Sequence, residues 1–156
     1  MMNLFSQLFD QDLILTNLEC SSKHDFLEKV SVFLHEKGYV TENFKEALIR
    51  REEKYPTGLR TEPYHVAIPH TDPENIRRPF IAMVRPKQQI EFTEMGTDDQ
   101  TLDVQLIFVL GLKKAESQTA LLQRLIDMFM NKEVMDRLLV ETEKTHILSI
   151  LESIVA

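Results

Sequence analysis

The sequence predicts a single compact α/β domain built on a mixed, mostly parallel sheet with helices on both faces. Three observations lead to this fold class. Amphipathic helices are predicted at both ends of the chain, whereas short apolar strands are predicted in its middle. Long helical connections join those strands, as parallel pairing requires. The strongest apolar run, 104–110, is nearly continuous, which indicates a strand that is buried on both faces.

Size and charge narrow the class of protein. The 156 residues correspond to one domain, 1–156, with room for a proper core. A net charge of −7 argues against non-specific nucleic-acid binding, because a phosphate backbone requires a cationic face. No signal peptide is evident, and no apolar run approaches the roughly 20 residues that span a bilayer. Because Cys20 is the single cysteine, no internal disulfide can form, and we expect a cytoplasmic protein.

Two helices are predicted in the first half of the chain. Ser21 or Ser22 supplies an N-cap hydroxyl for a helix over 23–37. A second helix over 41–54 ends before Pro56, which cannot continue a helix. The remaining predicted elements are strands at 13–15, 66–68, 80–84, 89–92 and 104–110, and helices at 117–130, 132–140 and 144–154, the last two capped by Asn131 and Thr142.

One histidine follows the predicted strand at 66–68. Pro69 has no N–H for a sheet ladder, so the strand gives way to a loop at His70. Strand ends of this kind carry the chemistry of α/β folds, because a rigid sheet holds a loop that is open to solvent. A neutral imidazole is available near pH 7 as a nucleophile, base or metal ligand. The alternative is an ordinary structural histidine.

The neighbouring sequence limits what His70 can do. Metal binding requires partner ligands, but His65 is at an odd offset and no HxxxH, HExxH or cysteine pair occurs. A serine hydrolase is poorly supported, since the chain has no G-x-S-x-G elbow. Nucleophilic capture of a phosphoryl group remains, and the absence of a Walker motif makes a phosphorylated protein a better donor than a nucleotide.

Phosphoryl capture also requires cations and hydrogen-bond donors. Arg51 offers a permanently charged guanidinium, and Thr57 and Thr71 offer hydroxyl and backbone N–H groups. Each has a plainer interpretation: Arg51 as part of a solvated helix end, and the threonines as turn residues.

These segments resemble a known family. Arg51-Glu52, Pro56-Thr57-Gly58-Leu59 and Val66-Ala67-Ile68-Pro69-His70-Thr71 are similar to the enzyme IIA components of the sugar phosphotransferase system, in the fructose/mannitol/galactitol class. The resemblance extends from about Leu13 to Leu151 and is strongest with the galactitol-type branch.

The resemblance implies a function and a set of partners. His70 would take a phosphoryl group from the carrier protein HPr as a tele-phosphohistidine and pass it to a cysteine of enzyme IIB. Arg51 would stabilise the phosphate charge, and the membrane component IIC would couple sugar entry to phosphorylation. No metal or organic cofactor is implied.

Gln118 is a departure from the family pattern. Many members of the class have a second histidine at the start of the helix after the long strand, where this chain has Gln118. Glutamine donates and accepts hydrogen bonds but carries no charge. We therefore expect support of the phosphate without a proton role, so that loss of Gln118 slows transfer without abolishing it.

Two other classes of function stay open. Some relatives are regulators of the nitrogen-regulatory type, which bind and control other proteins according to their phosphorylation state. A plain interaction domain with a vestigial histidine would take up no phosphoryl group at all. The sugar itself is not readable, because specificity lies mainly in the membrane component.

Overall fold

The chain folds as one α/β domain around a five-stranded mixed sheet, with a separate two-stranded hairpin. The structure is a computed structural model that describes residues 5–113 and 115–155, of which 115–118 and 155 are described as backbone alone. The strands are β1 (Phe9–Leu18), β2 (Gly58–Leu59), β3 (Val66–Ala67), β4 (Phe80–Pro86), β5 (Ile90–Thr93), β6 (Thr101–Val104) and β7 (Leu106–Gly111).

Within the described residues, five helices accompany the strands, with 3₁₀ turns at Ser6–Leu8 and Pro73–Asn75. Capping explains two of the starts: the Ser22 hydroxyl accepts from the Asp25 N–H, and the Asn131 side chain accepts from the Val134 N–H. No helix in the described ranges is long and apolar enough to cross a membrane. The helices are α1 (Lys23–Glu36), α2 (Phe44–Lys54), α3 (Ala115–Phe129), α4 (Lys132–Val140) and α5 (Lys144–Val155).

The sheet has the order β1-β4-β7-β3-β2. The pairs β1–β4 and β3–β7 are parallel, whereas β4–β7 and β2–β3 are antiparallel. The predicted mixed sheet is confirmed, with two of its four pairings parallel. The parallel pair β3–β7 brings the carboxyl ends of both strands to the same edge.

Helices cover both faces of this sheet, as predicted. Along β7, Phe108 and Leu110 pack into a core with α3, α4 and α5, whereas Ile107 and Val109 pack into a second core with α1, α2 and the β5–β6 hairpin. All six residues of β7 are buried, which accounts for its nearly continuous apolar sequence.

Several predicted boundaries were wrong. The helix predicted over 41–54 begins only at Phe44, because residues 42–43 form a turn before it. The run 104–110 is divided at Gln105, whose N–H donates to the His65 carbonyl, so that the residues before it form β6 in the hairpin. Strand β1 is much longer than the predicted 13–15. It is an edge strand with a register shift between Phe9 and Ile14, so its polar residues do not follow the period-two alternation by which a strand is recognised in a sequence. Thr142 is not the cap of α5, since the Glu143 carbonyl accepts the first helical bonds.

Candidate active site at His70

The backbone holds His70 at the carboxyl edge of the sheet. The Leu110 N–H donates to the Pro69 carbonyl at 3.0 Å, and His70 forms an isolated parallel bridge with Leu110. Ile68, two residues before the histidine, is 2% exposed and anchors the segment in the core. His70 itself is half-buried. The predicted strand end is confirmed: β3 stops at Ala67, and the histidine follows where β7 also ends.

One hydrogen bond determines the state of the His70 ring. Nδ1 lies 2.8 Å from the carbonyl oxygen of Ile68. A carbonyl only accepts, so Nδ1 must carry the proton and donate. In the neutral ring, the lone pair is therefore on Nε2.

The surroundings of the ring keep it neutral. Burial lowers the pKa of His70 below its ordinary value of 6.5, and the positive charge of Arg51 lowers it further. The Ile68 carbonyl and Asp72 act in the opposite sense but do not outweigh burial. At pH 7 the imidazole is neutral, which leaves the Nε2 lone pair available as a nucleophile.

Arg51 brings a permanent positive charge to this edge of the sheet. It lies in the last turn of α2, its Nη1 is 3.1 Å from Asp72 Oδ1, and its guanidinium is 5.1 Å from the centre of the Tyr55 ring. An open cleft of about 650 Å³ lies beside it, lined among others by Lys54 and by Thr71, the residue after His70. His70 itself is not among the residues that line this cleft. The edge of the sheet combines a neutral nucleophile with a nearby cation that faces an open cleft, which suits an anionic electrophile.

Thr57 is buried beneath this edge. Its N–H donates to Glu52 Oε2 at 2.8 Å and its hydroxyl to Glu52 Oε1 at 2.7 Å, so the carboxylate takes both donors. The next residue, Gly58, lies so close to β5 that a Cβ there would be 2.6 Å from the Thr93 carbonyl oxygen. The structure therefore gives Thr57 a supporting position, and direct donation from Thr57 to a phosphate stays a prediction.

Glu52 was not predicted as a site residue. It is 1% exposed, and its burial raises the pKa of the carboxyl to about 6 although both bonds from Thr57 favour the ionised form. The sequence held a signal for it, because Phe44, Leu48 and Glu52 are four residues apart and share the inward face of α2. The surrounding charged run concealed that signal.

Thr71 and Gln118 were the other predicted supports. Thr71 is 9% exposed, and its hydroxyl oxygen accepts from the Asn75 amide at 3.4 Å. Gln118 falls in the first turn of α3, which begins four residues after Gly111 at the edge that carries His70. Its side chain lies outside the described residues, so its role stays a prediction.

The described residues contain no group of three histidine, cysteine, aspartate or glutamate side chains arranged to hold a metal ion.

Comparisons with known proteins agree with this fold. The family model described as "Phosphoenolpyruvate-dependent sugar phosphotransferase system, EIIA 2" matches residues 7–154. The chain is 28% identical over 131 residues to the galactitol-specific EIIA component of Escherichia coli, an alignment that covers 80% of this chain and 87% of the relative.

Two solved structures share the fold. The crystal structure of nitrogen regulatory protein IIA-Ntr from Neisseria meningitidis has a TM-score of 0.77 at 24% identity, covering 96% of this chain and 99% of that one. Enzyme IIAMTL from Escherichia coli, solved in complex with phosphorylated enzyme IIBMTL, has a TM-score of 0.72 at 17% identity, covering 94% and 99%. The family match spans nearly the whole sequence, and the chain belongs to the EIIA 2 family of the phosphoenolpyruvate-dependent sugar phosphotransferase system.

Proposed function

We propose that this chain is a cytoplasmic phosphocarrier that takes a phosphoryl group from phospho-HPr onto Nε2 of His70. It then passes the group to a cysteine of enzyme IIB, and the membrane component IIC uses it to phosphorylate an incoming sugar or polyol. The observation that carries the proposal is the Nδ1–H bond to the Ile68 carbonyl, which leaves Nε2 as the nucleophilic atom. Family membership supports the reaction class.

His70 is the phosphoryl acceptor in the first transfer and the phosphoryl donor in the second. In the first, the Nε2 lone pair forms a new P–N bond while the donor's P–N bond breaks, and that electron pair returns to the donor ring. His70 keeps its Nδ1 proton, so the ring gains positive charge, which the Ile68 carbonyl stabilises. In the second, a thiolate of IIB forms a P–S bond and the P–N electron pair returns to Nε2.

Arg51 is the residue that we expect to stabilise the transferred group. Phosphoryl transfer is catalysed mainly by positioning and by charge near the equatorial oxygens, and a guanidinium matches phosphate with a bidentate fork. The Arg51–Asp72 pair is accessible, with side chains 35% and 62% exposed, so an incoming phosphoryl group can displace the carboxylate from Arg51.

The surface beside Arg51 suits a protein partner. Tyr55 and Met95 are 54% and 45% exposed, and both line an open groove with Pro56. Exposed apolar side chains next to a reactive group favour docking of another protein. With a net charge of −7, we expect a basic face on the donor, and association with HPr should slow as salt is added.

Phosphoryl uptake tests the proposal. The protein is incubated with phosphoenolpyruvate, enzyme I and HPr, and the intact mass is measured with and without acid treatment. We expect the wild type and the exposed-site control His24→Ala to gain one acid-labile phosphoryl group, and His70→Ala to gain none. No uptake by the wild type from demonstrably phosphorylated HPr would refute the carrier function.

The second transfer separates transport from regulation. A transport component passes its phosphoryl group to an IIB cysteine, and the galactitol-specific relative makes a galactitol-type IIB the first acceptor to try. Uptake from HPr without passage to that IIB or to fructose- and mannitol-type IIB proteins would favour the regulatory alternative.

A further inference from the structure

Glu52 is a buried charge that the transfer steps above do not use. Its carboxylate is 1% exposed, and no salt bridge is formed by it within residues 5–113 and 115–155. Burying a carboxylate is costly, and Lys23 acts on it only through space, with a smaller effect on its pKa than either hydrogen bond from Thr57, so the cost is not fully offset. A residue that costs stability in this way is expected to serve the nearby site.

The hydrogen bonds of Glu52 lead directly to the His70 ring. The carboxylate accepts both the N–H and the hydroxyl of Thr57. The Thr57 carbonyl then accepts the Ile68 N–H at 3.3 Å, which extends the β2–β3 ladder by one bond beyond the Gly58–Ala67 pair. The Ile68 carbonyl in turn accepts from His70 Nδ1 at 2.8 Å. Three successive links therefore join the carboxylate to the imidazole.

We propose that Glu52 is a positioning residue for His70, which holds the Thr57 turn so that the Ile68 carbonyl keeps the proton on Nδ1 and the lone pair on Nε2. The inference rests on the proposed phosphocarrier function for its effect on rate, although the tautomer of His70 can be measured independently. Glu52 acts through Thr57 and Ile68 and does not touch the transferred group.

The side chains of Arg51 and Glu52 point in different directions from α2. Consecutive residues point about 100° apart around an α-helix. Arg51 accordingly reaches Asp72 at the accessible edge, while Glu52 points inward to Thr57. The last turn of α2 thus places a cation over the cleft and anchors the loop beneath the histidine.

The tautomer of His70 provides a readout that a purely structural residue would not change. Ring ¹⁵N NMR at pH 7.5 distinguishes the Nδ1–H form from the Nε2–H form. We expect the wild type and Glu53→Gln, an exposed carboxylate on the same helix, to show the Nδ1–H form. Glu52→Ala should show a mixture of both forms, and Glu52→Gln should keep the Nδ1–H form, because its amide still accepts from and donates to Thr57.

Transfer rates from phospho-HPr complete the test. We expect Glu52→Ala to be slower on the order of 10- to 100-fold and Glu52→Gln to stay near the wild-type rate, with both proteins folded by circular dichroism. A Glu52→Ala protein with the wild-type tautomer and rate would overturn the proposal. If the wild type itself takes up no phosphoryl group, the carrier function fails, whereas the tautomer comparison still decides the positioning role.

A second variant covers the case in which Glu52→Ala does not fold. Thr57→Val keeps the volume of the side chain but removes the hydroxyl bond to Oε1. We expect a partial loss of the Nδ1–H form and a smaller reduction in rate, since the backbone N–H bond to Oε2 remains. An unchanged tautomer in Thr57→Val would then overturn the proposal.

Discussion

The buried carboxylate of Glu52 makes a quantitative prediction about pH and stability. Its pKa is about 6 in the folded protein, against an ordinary value of 4.5. Between these two values the folded state binds more protons than the unfolded state, so the free energy of unfolding falls as pH rises through this window. Glutamine resembles the protonated acid at every pH. We therefore expect Glu52→Gln to gain stability relative to the wild type as pH rises.

The size of this effect follows from the pKa difference. At 1.36 kcal/mol per pKa unit, the shift corresponds to about 2 kcal/mol in total, of which about 1 kcal/mol falls between pH 5 and pH 7.5. His70, whose lowered pKa acts in the opposite direction, is present in both proteins and cancels in the difference. Urea unfolding at pH 5 and pH 7.5 measures the difference in free energy of unfolding between Glu52→Gln and the wild type, with Glu53→Gln as the control. If the stability of Glu52→Gln relative to the wild type stays constant or falls as pH rises, the raised pKa assigned to Glu52 is refuted.

Three further predictions concern the site. A ¹H NMR titration of the His70 ring should give a midpoint below about 6.5, because burial and Arg51 disfavour the charged form; a midpoint at or above that value would contradict the environment described. Gly58→Ala should lower the free energy of unfolding by about 1–3 kcal/mol in urea, since its Cβ would meet the Thr93 carbonyl, and an unchanged stability would mean that the turn can move away. Arg51→Lys should slow phosphoryl transfer on the order of tenfold, whereas the adjacent Arg50→Lys should not; equal rates for the two variants would remove Arg51 from the mechanism.

The sequence predicted the location of His70 well because the local signals are strong. Proline after an apolar run ends a strand wherever it occurs, and the buried strand 106–111 reads as nearly continuous apolar sequence. Both signals depend on backbone chemistry and burial alone, so no knowledge of distant contacts was required.

The supporting residues were harder to predict because they depend on tertiary contacts. Glu52 lies in a charged run, and only its contact with the Thr57 turn shows that this one charge is inside. Gln105 interrupts an apolar run, but the N–H bond to His65 that divides it comes from a distant segment. A single sequence indicates which face of a helix is apolar and how long an apolar run is, but it does not show which distant residues pack against them.

The most direct test of the central claim is the identity of the phosphorylated atom. The protein is phosphorylated by phosphoenolpyruvate, enzyme I and HPr, and ³¹P and ring ¹⁵N NMR then locate the phosphoryl group. The account predicts one group on Nε2 of His70, with the Nδ1 proton retained against the Ile68 carbonyl. A phosphoryl group on Nδ1, or on any residue other than His70, would contradict it.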